Sequence, residues 1–373
     1  MNLLPFRAIF KYYETTFFSL EIKLQETFSK LLGQEYRNNQ NMKIKAGIIG
    51  LGVGEQHIFG YNQHPECEVV ALCDFSPEKL KDVQSRHPNI KIVDNAKKIL
   101  EDPEINVVSI ASYDNYHYEQ ILMAIDNGKH IFVEKPLCLF AEEAQTIREK
   151  LDNTKLKISS NLILRLSPRF QYVKTMLEQN QFGDIYYFES DYQYGRIQKL
   201  TEGWRGEIDF YSVVYGGGVH MVDLLLWLTN DTIEEVSSYG NNICTRNTPF
   251  KYNDMIVSIL QFKSGAIAKV ACNFGCVKPH FHSLSIFGTK ATFVNGHKYA
   301  ELFTNRNMNS KPKKITQEYP GIKKGDLLFN FIESILKNTH AIVCEEDIFK
   351  TMSVCFAIEK SVKTRNKVKV NYI

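Results

Sequence analysis

The stretch Ile44-Lys45-Ala46-Gly47-Ile48-Ile49-Gly50-Leu51-Gly52-Val53-Gly54-Glu55 decides the fold. Its apolar run predicts a strand over 44–49, its glycines a tight turn, and residues 57–63 a helix. Gly50 allows the turn, and Gly52 lets the backbone approach a pyrophosphate. Val53, Gly54 and the helix opening near Glu55 would aim free N–H groups at that pyrophosphate. The fingerprint is imperfect: Glu55 stands in the sixth position, and Gly54 comes one place early. The next apolar run, 68–73, ends at Asp74, 24 residues after Gly50. A carboxylate there accepts hydrogen bonds from both ribose hydroxyls and repels a 2′-phosphate, so NAD is expected over NADP. The competing reading is that Asp74 only caps the helix that opens at Pro77.

From this unit the pattern continues outward. Ser76 reads as the N-cap of a helix over 77–86, with Pro77 in its first turn. Short strands are expected over 90–93, 107–111, 129–133 and 156–160, and helices over 96–100, 116–126 and 141–151. Strands alternating with helices at this spacing mean a doubly wound parallel sheet. The run His130-Ile131-Phe132-Val133 leads into Glu134-Lys135-Pro136. Lys135 therefore lies at the carboxyl end of a strand, where open α/β sheets bind their ligands.

Beyond residue 162 the texture changes. After a helix over 169–179, strands are expected over 185–194, 234–239, 254–262, 266–274, 281–287 and 300–303, with a hairpin at Gly265. Helices over 327–337 and 347–363 close the chain. The reading is an N-terminal Rossmann-type α/β domain over 42–161 and a C-terminal α+β domain over 162–373, built on a mostly antiparallel sheet.

At 373 residues each domain can bury its own core. Forty-five basic and 42 acidic residues leave a net charge of +3, too balanced to indicate a nucleic-acid partner. The late lysines Lys360, Lys363, Lys367 and Lys369 read as a solvated face. Eight scattered cysteines without a Cys-x-x-Cys pair indicate thiols in a reducing compartment. No apolar run approaches the ~20 residues of a membrane span, and a cytoplasmic protein is expected. Residues 1–41 differ from the rest, being rich in Phe and Tyr before an Asn-rich stretch. They are either an amphipathic extension or the product of an upstream start codon, with Met42 the true first residue. The second is favoured.

The glycine turn, Asp74, Glu134-Lys135-Pro136 and Gly218-Val219-His220-Met221-Val222-Asp223 together resemble the Gfo/Idh/MocA oxidoreductases. That family includes glucose–fructose oxidoreductase and inositol dehydrogenase. The resemblance covers about residues 43–373. Ser112, Asn115 and His117 fall in the family's Thr-Pro-x-x-x-His segment, with Tyr113 where proline is usual.

The resemblance implies hydride transfer between a nicotinamide and a secondary alcohol or ketone of a sugar, cyclitol or nucleotide sugar. It implies His220 as the acid/base and Lys135 as the group that orients the substrate oxygen. The cofactor-binding set is Gly50, Gly52, Val53, Gly54, Asp74, Ser112, Asn115, His117, Glu134 and Lys135. Asp223, one helical turn beyond His220, would orient the imidazole or a substrate hydroxyl. Arg165 would line the cleft, and Tyr192 one face of the pocket. Trp204 and Arg205 would hold a sugar or anchor a loop. The glycines at 216–218 would let a ligand or backbone come close.

One departure stands out. Many relatives carry an aspartate four residues before the histidine, where this chain has Gly216. Asp209 and Tyr215 are the candidate substitutes. The departure keeps a second function open, a regulator that binds NAD or a sugar without turning it over. His280 and His282 share a strand face, but with no third ligand nearby no metal site is expected. The expected partners are a small polyhydroxylated substrate and further copies of the chain, as a homodimer or homotetramer. No membrane partner is expected.

Overall fold

Ile44–Ile49 forms β1, with Ala46, Ile48 and Ile49 buried. The chain then lays down β2 (Cys67–Cys73), β3 (Lys91–Val93), β4 (Val107–Ile110), β5 (His130–Val133) and β6 (Ile158–Ser160). The computed structural model describes residues 43–373, and the extension expected over 1–41 lies outside the described residues. The residues from Lys45 onward form one unit. The six strands run in the order β3-β2-β1-β4-β5-β6, with parallel ladders. Strand order reverses between β1 and β4, which opens a crevice at their carboxyl ends. β4 is buried at every position and reads as an unbroken apolar run apart from Ser109, as a strand covered on both faces must.

The expected cap is present. Ser76 Oγ accepts from Lys79 N at 3.2 Å, with Pro77 in the first turn of Pro77–Arg86. Asp74 is therefore not the cap of that helix.

The second sheet contains β7 (Ile185–Gln193), β8 (Ile233–Asn241), β9 (Met255–Phe262), β10 (Ile267–Asn273), β11 (Phe281–Gly288), β12 (Thr292–Val294), β13 (Ala300–Phe303), β14 (Lys313–Ile315) and β15 (Val368–Lys369). Their order is β14-β13-β12-β11-β7-β10-β9-β8-β15. Neighbouring strands pair antiparallel except β7 and β10, which run parallel. Gly265 turns the β9–β10 hairpin at φ +92°.

Helix Val219–Thr229 is buried along nearly its whole length and packs on β7. The closing helices knit the two sheets together. Asp326–Lys337 packs on Glu55–Asn62, where His64 Nε2 meets Glu333 Oε1 at 2.9 Å. Glu345–Thr364 packs on both β6 and β8. No described helix is long and apolar enough to cross a membrane.

Candidate active site

The first strand ends in the glycine turn. Gly50 holds φ +86°, and a Cβ there would collide with the backbone of Ala111 and Ser112. Glycine is therefore required by backbone and by space together. Gly52 differs: nothing lies within 4 Å of where its Cβ would be. The amides of Gly52 and Val53 donate to no acceptor among the described residues. Gly54 is buried, and the helix starts at Glu55. An open face, free amides and a helix start make an anion cradle, and these residues fit a dinucleotide pyrophosphate.

Asp74 lies beside this cradle. Its Oδ2 accepts from Leu51 N at 2.8 Å, and its Oδ1 from Ser76 N at 3.0 Å. Two backbone donors thus hold the carboxylate at the strand end, leaving lone pairs for ribose hydroxyls.

The third edge is the Ser112–His117 segment. Ser112 Oγ bonds Gln120, and Asn115 is exposed. His117 is wholly buried, with Nδ1 2.7 Å from Pro136 O and Nε2 3.2 Å from Ser112 O. The ring has a structural role. It ties the loop after β4 to the loop after β5, because both ring nitrogens already face carbonyl oxygens.

Glu134 is likewise engaged within the protein. It is buried, with Oε1 2.6 Å from Asn161 Nδ2 and 3.3 Å from His57 Nε2. Against the cost of burial, Lys324, His57 and Lys135 hold the carboxyl well below the usual range. Glu134 braces the floor beneath the crevice.

Lys135 reaches across to the second sheet's side. Its Nζ donates to Gly216 O at 2.9 Å. Burial depresses its pKa to about 8, with Lys324 and Arg205 acting in the same direction and Asp114 and Glu134 opposing. His220, at the start of Val219–Thr229, is 5% exposed, and its Nδ1 is buried without a hydrogen-bond partner. Burial first, then Lys135, Lys324 and His282, push its pKa well below the ordinary imidazole value. Burial therefore favours the neutral imidazole.

The three-glycine run is explained by side chains that occupy the space where its own would be. A Cβ at Gly216 would overlap the Tyr211 hydroxyl, one at Gly217 the Tyr192 ring, and one at Gly218 Cys272 Sγ. The expectation that these glycines admit a ligand or backbone is corrected: they admit protein side chains. Tyr192 is 6% exposed and shares one aromatic wall with His220, His280 and His282 at centroid distances of 6.2, 5.0 and 5.4 Å.

Asp223 lies one turn from His220 but serves neither expected partner. Its carboxylate is fully buried and takes Arg165 Nε at 3.1 Å and Nη2 at 2.6 Å. Arg165, 3% exposed, spends Nη1 on Ile342 O and Asp347. Neither side chain faces the cleft as expected, because each uses its hydrogen-bonding capacity on the other and on the closing helices. Trp204 is part-exposed. Its ring stacks on Tyr113 at 4.6 Å and 12°, and Arg205 lies 4.4 Å from its centroid.

Of the candidate substitutes for the missing aspartate, Tyr215 is buried beside Glu359, Cys355 and Cys138. Among the described residues, no hydrogen bond or ion pair joins Asp209 to Lys135 or His220. Two residues escaped the sequence reading. Lys324, just before Asp326–Lys337, acts electrostatically on Glu134, Lys135 and His220. Asp114 does so on Lys135 and Arg205. Asp114 sits inside a quoted motif and was within reach. Lys324 carries no sequence signal.

Residues 44–162 match the family described as "Oxidoreductase family, NAD-binding Rossmann fold", and residues 170–294 match the "GFO/IDH/MocA C-terminal domain". The chain belongs to the Gfo/Idh/MocA oxidoreductases. Similar proteins include the NAD-dependent scyllo-inositol 2-dehydrogenase of Bacillus subtilis, 25% identical over 68% of this chain and 74% of the relative. Myo-inositol 2-dehydrogenase of Thermotoga maritima is 19% identical over 88% of this chain and 99% of the relative. Levoglucosan dehydrogenase, solved with NADH and levoglucosan, superposes with a TM-score of 0.78 at 20% identity. That match covers 89% of this chain and all of the other. This family member is thus an NAD-binding oxidoreductase, and the sequence expectation of NAD is met.

Proposed function

We propose that the chain is a dehydrogenase that moves a hydride between the nicotinamide and a secondary alcohol or ketone on a sugar, cyclitol or nucleotide sugar. One observation carries the reading: a neutral, buried imidazole with an unpartnered nitrogen, His220, under the field of a depressed lysine, Lys135. An unpartnered buried nitrogen costs stability, and a substrate hydroxyl supplies its missing partner.

Oxidising a secondary alcohol removes the hydroxyl proton and a hydride from the same carbon, leaving a carbonyl. A dinucleotide whose pyrophosphate is held at the cradle of Gly50–Gly54 would supply its nicotinamide as the hydride acceptor. His220 takes the hydroxyl proton, since its neutral form is the one burial favours. Lys135 has three N–H donors, of which one is spent on Gly216 O. The others are free to hold the substrate oxygen and stabilise the negative charge that develops on it. In the reverse direction the imidazolium returns the proton to the same oxygen.

The wall of Tyr192, His280 and His282 offers aromatic faces and uncharged nitrogens, which suits a neutral polyhydroxylated ring. The inositol and levoglucosan dehydrogenases among the relatives support that class. Cysteines that stand as thiols, buried Cys73, Cys138 and Cys355 among them, support a reducing, cytoplasmic setting. The second sheet presents half-exposed Ile259 and Ile267, 47% and 44% accessible, and this supports pairing of copies as a homodimer or homotetramer.

The full chain with NAD and scyllo-inositol, myo-inositol or levoglucosan should show growth of reduced-nicotinamide absorbance. A chain that binds NADH but gives no change with any polyol, or with the matching ketones in reverse, is a sensor and not a dehydrogenase.

A further inference from the structure

We propose that Tyr211 is a positioning residue that takes the place of the missing carboxylate: its hydroxyl fills the volume beside Gly216 and fixes the carbonyl that holds Lys135. The inference rests on the hydride-transfer reading and assigns a further residue to the same site.

The geometry runs through three contacts. Lys135 Nζ donates to Gly216 O at 2.9 Å, a contact between residues 81 positions apart. The side-chain volume at Gly216 is occupied by Tyr211 Oη, with Phe274 next nearest. Tyr211 is itself fixed: 3% exposed, with Trp204 at 6.1 Å and Phe250 at 5.9 Å edge-on, and the Arg205 guanidinium 5.8 Å from its ring centroid. A carboxylate at 216 would sit where this phenol sits, so residues 211 and 216 cannot both carry large side chains. Where many relatives carry a charged group on the helix-start segment, this chain places a neutral hydroxyl from the preceding loop.

That difference changes how the lysine is held. An aspartate at 216 would bring an anion to the residue whose carbonyl Lys135 contacts. Here Lys135 has a backbone carbonyl, and that carbonyl belongs to a residue without a side chain of its own. Gly216 lies in the single wide helical turn Val214–Gly218, and its amide donates to Ser212 O at 2.8 Å. Glycine in such a turn is loose unless packed from outside. Tyr211 supplies that packing. The other groups facing Lys135 are Asp114, Glu134, Lys324, Arg205 and the imidazole of His220. None of them fills the Gly216 volume.

The test reads Lys135 directly and then through turnover. In protein reductively methylated with ¹³C formaldehyde, the Lys135 signal is assigned by its absence in Lys135→Arg and titrated by NMR. In Tyr211→Phe the carbonyl is free to retreat, the buried ammonium loses its acceptor, and the titration midpoint should fall by about half a unit or more. With scyllo-inositol and NAD, kcat should fall about tenfold while both KM values change less than about twofold, the signature of misplacement and not of lost binding. Gly216→Ala should show the same loss, because its methyl displaces the hydroxyl. Gly216→Ala combined with Tyr211→Leu, which opens that space, should recover part of the rate.

An unmoved Lys135 midpoint in Tyr211→Phe overturns the proposal, as does a double variant no better than Gly216→Ala. If the natural chain turns over no polyol, the dehydrogenase reading fails and the Lys135 titration still decides the role of Tyr211.

Discussion

Arg165 Nη2 lies 2.6 Å from Asp223 Oδ1, and both side chains are almost completely buried. The two residues stand 58 positions apart and join the segment after β6 to the helix that carries His220. Burial opposes the Arg165 charge, and Asp223 with Asp347 more than offsets it. Breaking one side of such a pair strands the other charge in the core. Asp223→Ala should therefore destabilise the fold by about 3–5 kcal/mol, measured by urea unfolding. A variant that unfolds at the natural midpoint but loses substrate affinity would return Asp223 to the substrate site.

The second prediction concerns the choice of cofactor. Asp74 is held by Leu51 N and Ser76 N at the edge of the glycine cradle, where a 2′-phosphate would meet a carboxylate. NADH should bind more tightly than NADPH. Asp74→Ser should weaken NADH by about tenfold and narrow the gap between the two. Calorimetric titration of both nucleotides decides the matter, and tighter NADPH binding to the natural chain would mean that the carboxylate points elsewhere.

The third concerns Lys135 and His220. Replacing either with alanine should cost on the order of 10²–10⁴-fold in kcat while NADH affinity is retained. The rate of alcohol oxidation should decline as pH rises through about 8, where Lys135 gives up its charge. No acid limb should appear near 6.5, the ordinary imidazole value, because burial and two lysines keep His220 neutral to far lower pH. A rate that halves near 6.5 and vanishes below it would mean that His220 is solvated during turnover.

Where local pattern decides an element, the sequence reading holds. β1 and β13 have the expected bounds, and Ser76 is the cap. The strands it missed, β12, β14 and β15, have three, three and two residues. They owe their existence to a neighbouring strand's free edge, which no local pattern encodes. The site divides along the same line. Gly50 and Asp74 are legible because a tight turn and a ribose constrain residue type locally. His117, Glu134 and Asp223 carry the right motif letters, but each spends its polar atoms on a partner from a distant segment: Pro136, Asn161 and Arg165. The glycine run was legible as a close approach. What approaches was not, since Tyr211, Tyr192 and Cys272 come from three separate segments.

The last prediction is acid sensitivity. Burial, then Lys157, lowers His130 to about 4. Burial, then Arg196 and Lys324, lowers His280 to about 4. Burial, then His280 and Lys324, lowers His282 to about 3. In each case the folded pKa lies below the unfolded value of about 6.5, so the unfolded chain binds protons that the folded chain refuses. Stability is full above about 6.5 and declines as pH falls toward about 4, where the folded rings begin to protonate as well. Carboxylates such as Glu134 contribute only toward the acid end of this window, because their unfolded values lie near 4.3. The urea midpoint should fall between about pH 7 and about pH 5 by the equivalent of a few kcal/mol. His280→Phe, which keeps the ring against Tyr192 and removes one titrating group, should flatten that fall. A midpoint that holds constant over the window would mean these imidazoles reach solvent and protonate without cost, and the enclosed wall beside His220 would have to be redrawn.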